Sequence, residues 1–170
     1  GRLFKQLAPT LVQHEIAPDP DELFDCFRRV SFCREGVFTP EKLAERLTET
    51  AQVLCIVNTR KRARQVYESL PEEGRFHLST LMIPTDREKT LNAIRTRLQN
   101  GKTCRVVSTS LVEAGVDVDF PSVWRELAGL DSILQAAGRC NREGRRSAAE
   151  SVVHVFEAEG KFPASMTQQR

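Results

Sequence analysis

From residue 51 onward, short β-branched apolar runs alternate with stretches whose apolar residues recur at three-and-four spacing. That alternation predicts a parallel sheet joined by crossover helices. VLCIVN (53–58) has the length and composition of a buried strand, and CRVVST (104–109) reads as the clearest interior strand. HLSTLM (77–82), SVWRELA (122–128) and VVHVFEA (152–158) are further strand candidates. Between them, Thr59–Leu70 is expected to be a helix presenting Ala63, Val66, Tyr67 and Leu70 on one face. After Pro84, Thr85 and Glu88 have capping-box spacing, and the following helix would align Leu91, Ile94 and Leu98 before stopping at Gly101. Thr39-Pro40 predicts a helix to about Thr50, and another is expected from Asp131 or Ser132 to near Gly144. Residues 1–35 are less legible. Asp19-Pro20-Asp21-Glu22 resembles a helix start, and RRVSFC (28–33) is a candidate extra strand. The expectation is one α/β domain over residues 1–170, with its core in 53–158.

Composition narrows the class without naming a partner. With 170 residues, 40% of them hydrophobic, the chain can bury a core, and no apolar run is long enough to span a membrane. Twenty-five basic against 23 acidic residues leave a net charge of +2, so any anion site must come from local clusters. Five scattered cysteines without C-x-x-C spacing read as reduced thiols of a cytoplasmic protein, and no zinc site is expected. The chain opens on Gly1 and not Met, which suggests a piece of something longer.

Three segments could carry chemistry. On a helix, Gln135, Arg139 and Arg142 of QAAGRCNREGRR (135–146) would form one polar stripe, beside a low surface made by Ala136, Ala137 and Gly138. Two guanidiniums one turn apart repel unless an anion sits between them, and a polyphosphate matches their planar forks. A solvated basic helix end is the plainer reading. STSLVEAGVDVDFP (108–121) follows an interior strand, where ligands of open parallel sheets gather. There Ser108 and Thr109 offer hydroxyls and amides to a phosphate, Gly115 permits close approach, and Asp117 suits a ribose hydroxyl. An ordinary loop explains the same residues. NTRKRAR (58–64) puts four basic side chains within five residues at a helix N-terminus, the unfavourable end of the dipole. A nucleic-acid backbone would compensate, and so would full solvation. His77 and Arg87 flank the next strand–helix junction.

Other features point away from chemistry. Gly101-Lys102-Thr103 ends like a P-loop, but Thr96 stands where the first Gly is required, and the segment precedes a strand. It is expected to be a turn. No Asp-Glu pair at a strand end is available for magnesium, and His14 and His154 have no ligand-spaced neighbours, so no metal site is predicted.

In order and spacing, IVNTRKRA, STSLVEAGVDVDF and QAAGRCNREG resemble motifs IV, V and VI of the second RecA-like domain of superfamily 2 helicases, across residues 53–146. HLSTLMIPTDR, VEAGVDVDFP and LDSILQAAGRCNREG further resemble the CRISPR-associated helicase–nuclease of type I systems. The resemblance implies a RecA-like three-layer sandwich with a mainly parallel central sheet flanked by helices. It implies that Gln135, Arg139 and Arg142 face ATP held by a first RecA-like domain, which would also hold Mg2+. Arg142 would be the arginine finger, with Gly115, Asp117 and Gly138 completing the nucleotide site. Asn58, Thr59, Arg60, Ser108 and Thr109 would hold single-stranded DNA, with His77 and Arg87 nearby. The implied partners are that first domain, an HD nuclease domain and a guide-RNA surveillance complex. The Walker A loop, the Asp-Glu-x-His box and the HD nuclease motif do not occur in these 170 residues, so the chain alone is expected to be inactive. Another superfamily 2 DNA or RNA helicase, or a docking domain that kept the fold, remain alternative readings.

Overall fold

The computed structural model describes residues 28–79, 81–109 and 117–160. Six strands form one all-parallel sheet: β1 (Ser31–Phe38), β2 (Gln52–Ile56), β3 (Arg75–Leu78), β4 (Cys104–Ser108), β5 (Ser122–Glu126) and β6 (Val152–Ala158). Their spatial order is β1-β6-β5-β2-β4-β3. Four helices complete the described structure: α1 (Pro40–Thr48), α2 (Arg60–Ser69), α3 (Pro84–Gln99) and α4 (Leu130–Ala137).

The helices divide between the two faces, because each central strand is apolar on both sides. Val53, Cys55, Val57, Val107, Trp124 and Phe156 face α1 and α2, meeting Leu43, Leu47, Ala63 and Val66. Leu54, Ile56, Val106, Val123 and Val153 point the other way, against Leu91 and Ile94 of α3 and Ala136 of α4. This is the three-layer α/β sandwich that the resemblance implies. No helix among the described residues is long and apolar enough to cross a membrane. The four described cysteines are free thiols, and burial pushes Cys104 and Cys140 up to about 12, so neither is a nucleophile.

Several boundaries differ from expectation, each for a visible reason. β3 spans Arg75–Leu78 and not 77–82. Gly74, at φ +69°, sets its start, where a Cβ would come 2.3 Å from the Thr103 carbonyl oxygen. Arg75 caps α2 through the Leu70 carbonyl at 2.9 Å, and Ser79 turns the chain out of the sheet by accepting from the amides of Met82 and Leu81. The Thr85/Glu88 capping box does not form. Pro84 opens α3 directly, its fixed φ and missing N–H suiting the first helical position. The extra strand near residue 30 exists but runs Ser31–Phe38, paired with β6 at the edge of the described sheet. That pairing sets Cys33 opposite His154, bringing Glu35 within 2.8 Å of a histidine 119 residues away. Gly101, at φ +63°, is the expected turn between α3 and β4. The expected helix start at Asp19–Glu22 lies outside the described residues.

Candidate functional site

The carboxyl rim of the sheet gathers most of the residues expected to meet a nucleic acid. Thr59 is the N-cap of α2, and its hydroxyl oxygen accepts from the Arg62 amide at 3.2 Å, which leaves its proton free to donate outward. Arg60 and Lys61 beside it are exposed, with no ion pair among the described residues. The other two cations of the cluster are engaged. Arg64 pairs with Glu68 at 2.7 Å, and Arg62 with the nearly buried Glu126 at 2.6 Å.

Asn58 is a strut within this rim. Its side-chain amide donates to the Leu127 carbonyl at 2.9 Å, its carbonyl accepts from Arg125 at 2.7 Å, and its backbone N–H donates to Glu126 at 2.8 Å. Arg125 and Glu126 were not singled out by sequence, although two adjacent charges inside an interior strand are an available signal. Ser108 and Thr109 differ from expectation. Both are buried, and the Ser108 hydroxyl is hydrogen-bonded to the carbonyls of Leu78 and Thr109, so that hydroxyl turns inward. His77 packs against Tyr67 at 5.6 Å, and burial holds its imidazole below the ordinary value. Its Nε2 is buried without a partner among the described residues. Arg87 stands in the first turn of α3, partly exposed.

The nucleotide-site candidates assemble at the opposite rim. α4 ends at Ala137, capped by Gly138, and does not continue to Gly144, so the stripe from Gln135 to Arg142 is not helical throughout. Gln135 is exposed on the helix, while Arg139 and Arg142 lie in the turns that follow. The helix stops because Phe120 and Cys140 form a parallel bridge just before β5, with Phe120 donating to the Arg139 carbonyl and Asn141 donating to Phe120. Segment 108–121 therefore does not stay at the carboxyl rim. Thr109 stands at that rim, while Phe120 lies at the amino end of β5, roughly 17 Å away for a five-residue strand. Gly115 lies outside the described residues.

Two residues that sequence reasoning missed build this second cluster. Asp119 accepts from the Arg142 amide at 2.7 Å and pairs with Arg146 at 3.0 Å. Asn141 is buried at φ +46°, donates to the carbonyls of Arg29 and Arg146, and accepts from the Arg146 amide. An Asn between two arginines, at a position that tolerates the left-handed region, is the signal that could have found it. Asn141→Ala removes three hydrogen bonds and adds backbone strain, so a loss of about 2–3 kcal/mol in chemical denaturation is expected.

The result is an arginine pair on a braced turn. Arg142 reaches Asp117 through Nε at 3.0 Å. Arg139 is held below its ordinary value, first by partial burial and then by the charge of Arg142, with Asp117 pulling the other way. Two mutually repelling guanidiniums with one exposed carboxylate between them can accept a polyphosphate in that carboxylate's place. Beside them Arg95, Asp117, Asp119, Glu143 and Arg146 line a cavity of about 210 Å³.

A family model described as CRISPR-associated nuclease/helicase Cas3, C-terminal, matches residues 49–145. The CRISPR-associated helicase Cas3 of Thermoproteus tenax is 29% identical over 141 residues, covering 81% of this chain and 23% of that protein. The crystal structure of T. fusca Cas3 with ATP superposes with a TM-score of 0.65 at 21% identity, covering 96% of this chain and 21% of that one. A chain in a CRISPR RNA-guided surveillance complex, pre-nicking, superposes at 0.60 with 22% identity, over 82% of this chain and 20% of that one. At those identities the likeness is one of fold. The chain thus spans about a quarter of the length of the T. tenax relative. The family match covers more than half of the chain, which belongs to the Cas3 C-terminal family of CRISPR-associated nuclease/helicases.

Proposed function

We propose that this domain is one half of an ATP-driven single-stranded DNA motor, supplying the arginines of the ATP site and part of the DNA track. The observation that carries the proposal is the braced Arg139–Arg142 pair: the Phe120 amide holds the Arg139 carbonyl and Asp119 the Arg142 amide, while the Arg142 guanidinium stays exposed. That arrangement suits a group needed at a facing surface more than one needed for this fold. Residues 1–170 act as a single unit that closes against a first RecA-like domain, which holds ATP and Mg2+. Arg142 is the finger, Arg139 stands near the γ-phosphate, Gln135 and Gly138 border the nucleotide, and Asp117 releases Arg142 to phosphate on closure. Gly115 belongs to the same site.

The DNA backbone runs over the carboxyl rim, against Thr59, Arg60 and Lys61, with His77 and Arg87 at the flank. Thr109 stands at that rim and Asp117 at the arginine cluster, which couples strand binding to closure over ATP. An HD nuclease acts on the strand after a guide-RNA surveillance complex has opened the target; both are partners of the whole protein, in the cytoplasm.

DNA-stimulated ATP hydrolysis by the full-length protein tests this reading. Turnover that rises with single-stranded DNA supports it, whereas DNA binding without any ATP turnover favours a docking domain. The DNA track has its own test in Arg60→Ala/Lys61→Ala, which spares the structural Arg62. The salt dependence of single-strand affinity should flatten by about 0.7 log units per lost phosphate contact. An unchanged slope would make these two cations ordinary solvated surface.

A further inference from the structure

The sequence shows no metal-ligand spacing around His154, yet the fold brings three different donor types together there. Cys33 Sγ, a Glu35 carboxylate oxygen and a His154 ring nitrogen all lie within 4.8 Å of one another, the one such group among the described residues. Cys33 and Glu35, two apart on β1, share a face, and the β1–β6 register sets Cys33 opposite His154. The imidazole stacks on Trp124 at 4.4 Å and 14°, which fixes its plane with Nδ1 turned to Glu35 at 2.8 Å. Both Glu35 and His154 are about four-fifths shielded from solvent, while Cys33 is exposed.

We propose that this edge of the sheet is a divalent-metal site of zinc type, with Cys33, Glu35 and His154 as ligands and a fourth position open to water. The donor set is the borderline mixture of sulfur, nitrogen and oxygen that zinc prefers. Bonds of about 2.0–2.3 Å in a tetrahedron put ligand atoms roughly 3.3–3.7 Å apart, so Nδ1 and the carboxylate spread slightly and Sγ moves in. Cys33 and Glu35 are side chains of an edge strand and can make those shifts without moving the sheet.

Charge also balances. A thiolate and a carboxylate neutralise the dication, and a neutral imidazole that binds through Nδ1 carries its proton on Nε2. Binding at a pH where the imidazole is neutral therefore releases one proton, the one on Cys33. Arg46 is the opposing charge nearby, and its pairing with Glu49 offsets it. A reactive-thiol reading fits less well, since the Glu35 carboxylate beside Cys33 disfavours a free thiolate unless a cation sits between them. A metal here would clip edge strand β1 to β6.

The test is titration of the purified, chelator-treated chain with Co(II) and then Zn(II). One equivalent of Co(II) should give a thiolate-to-metal charge-transfer band that Zn(II) displaces, with release of one proton. Losing an outer partner of a metal ligand costs 10–100-fold in affinity, so Cys33→Ser, which loses a ligand outright, should cost about 100-fold or more and abolish the band. Glu35→Gln, nearly isosteric, should weaken affinity while leaving the band and the circular dichroism in place. No charge-transfer band in the wild-type chain, or equal affinity in Cys33→Ser, would overturn the proposal.

Discussion

Arg142→Ala in the full-length protein is expected to lower DNA-stimulated ATP turnover by roughly 10³–10⁵-fold, the worth of an arginine finger in phosphoryl transfer. Single-strand affinity should stay within about twofold, because the DNA candidates lie on the opposite rim of the sheet. The loss should be chemical and not a failure to fold. Arg142 contributes its backbone amide to Asp119 and its carbonyl to Arg29, and alanine keeps both. What alanine removes is the pair with Asp117, whose side chains are 42% and 76% exposed. Such exposed pairs contribute about 0–1 kcal/mol, so the melting temperature should hardly move. Lysine is a poor substitute, since a point charge cannot make the planar two-pronged contact with a phosphate. Steady-state turnover, measured beside circular dichroism and strand binding, checks all three statements. A variant that retains near-normal turnover would remove Arg142 from the chemistry.

Glu126→Ala should carry the largest stability cost, about 3–5 kcal/mol, the range for removing one partner of a buried ion pair. Its side chain is only 9% exposed and serves two donors at once, Arg62 at 2.6 Å and the Asn58 amide at 2.8 Å. Removal leaves Arg62, itself one-fifth exposed, with the Glu159 carbonyl at 3.0 Å. It also leaves the Asn58 N–H without its acceptor at the end of β2. For a domain of this size, about 3 kcal/mol corresponds to roughly 6–12 °C in melting temperature. Because Asn58 and the first turn of α2 hang on Glu126, DNA affinity should fall along with stability. Glu126→Gln keeps an acceptor for the Asn58 amide and should recover part of both. Thermal melts of the three forms check this, and an alanine variant as stable as wild type would contradict it.

The sequence made the layers legible and left the joints illegible. Continuous apolar runs such as VLCIV need no tertiary context to declare a strand buried on both faces, and Ala63, Val66 and Leu70 sit where helical spacing put them. The end of α4 was hidden because it is set by a bridge to Phe120, 20 residues earlier, and by the left-handed turn at Asn141. Helix periodicity continues on paper through Arg139 and Arg142, and only the tertiary hydrogen bonds break it. The site divides the same way. Motif order picked out the arginines, but not the acidic and amide residues that shape their turn, because Asp119 holds the Arg142 amide from 23 residues away and Asn141 reaches Arg29 across 112. Ser108 shows the converse limit of spacing. A hydroxyl at a strand end is a fair phosphate ligand until the fold shows a neighbouring carbonyl taking it.

On the proposed reading, Arg139 and Arg142 act on ATP at the moment of phosphoryl transfer. Binding of ADP with aluminium fluoride, a mimic of the transferring phosphoryl group, compared with binding of ADP alone, tests it most directly. In the full-length protein with single-stranded DNA, Arg142→Ala and Arg139→Ala should lose most of the extra affinity for the mimic while ADP affinity changes little. Equal tightness for the mimic in wild type and both variants would contradict the account.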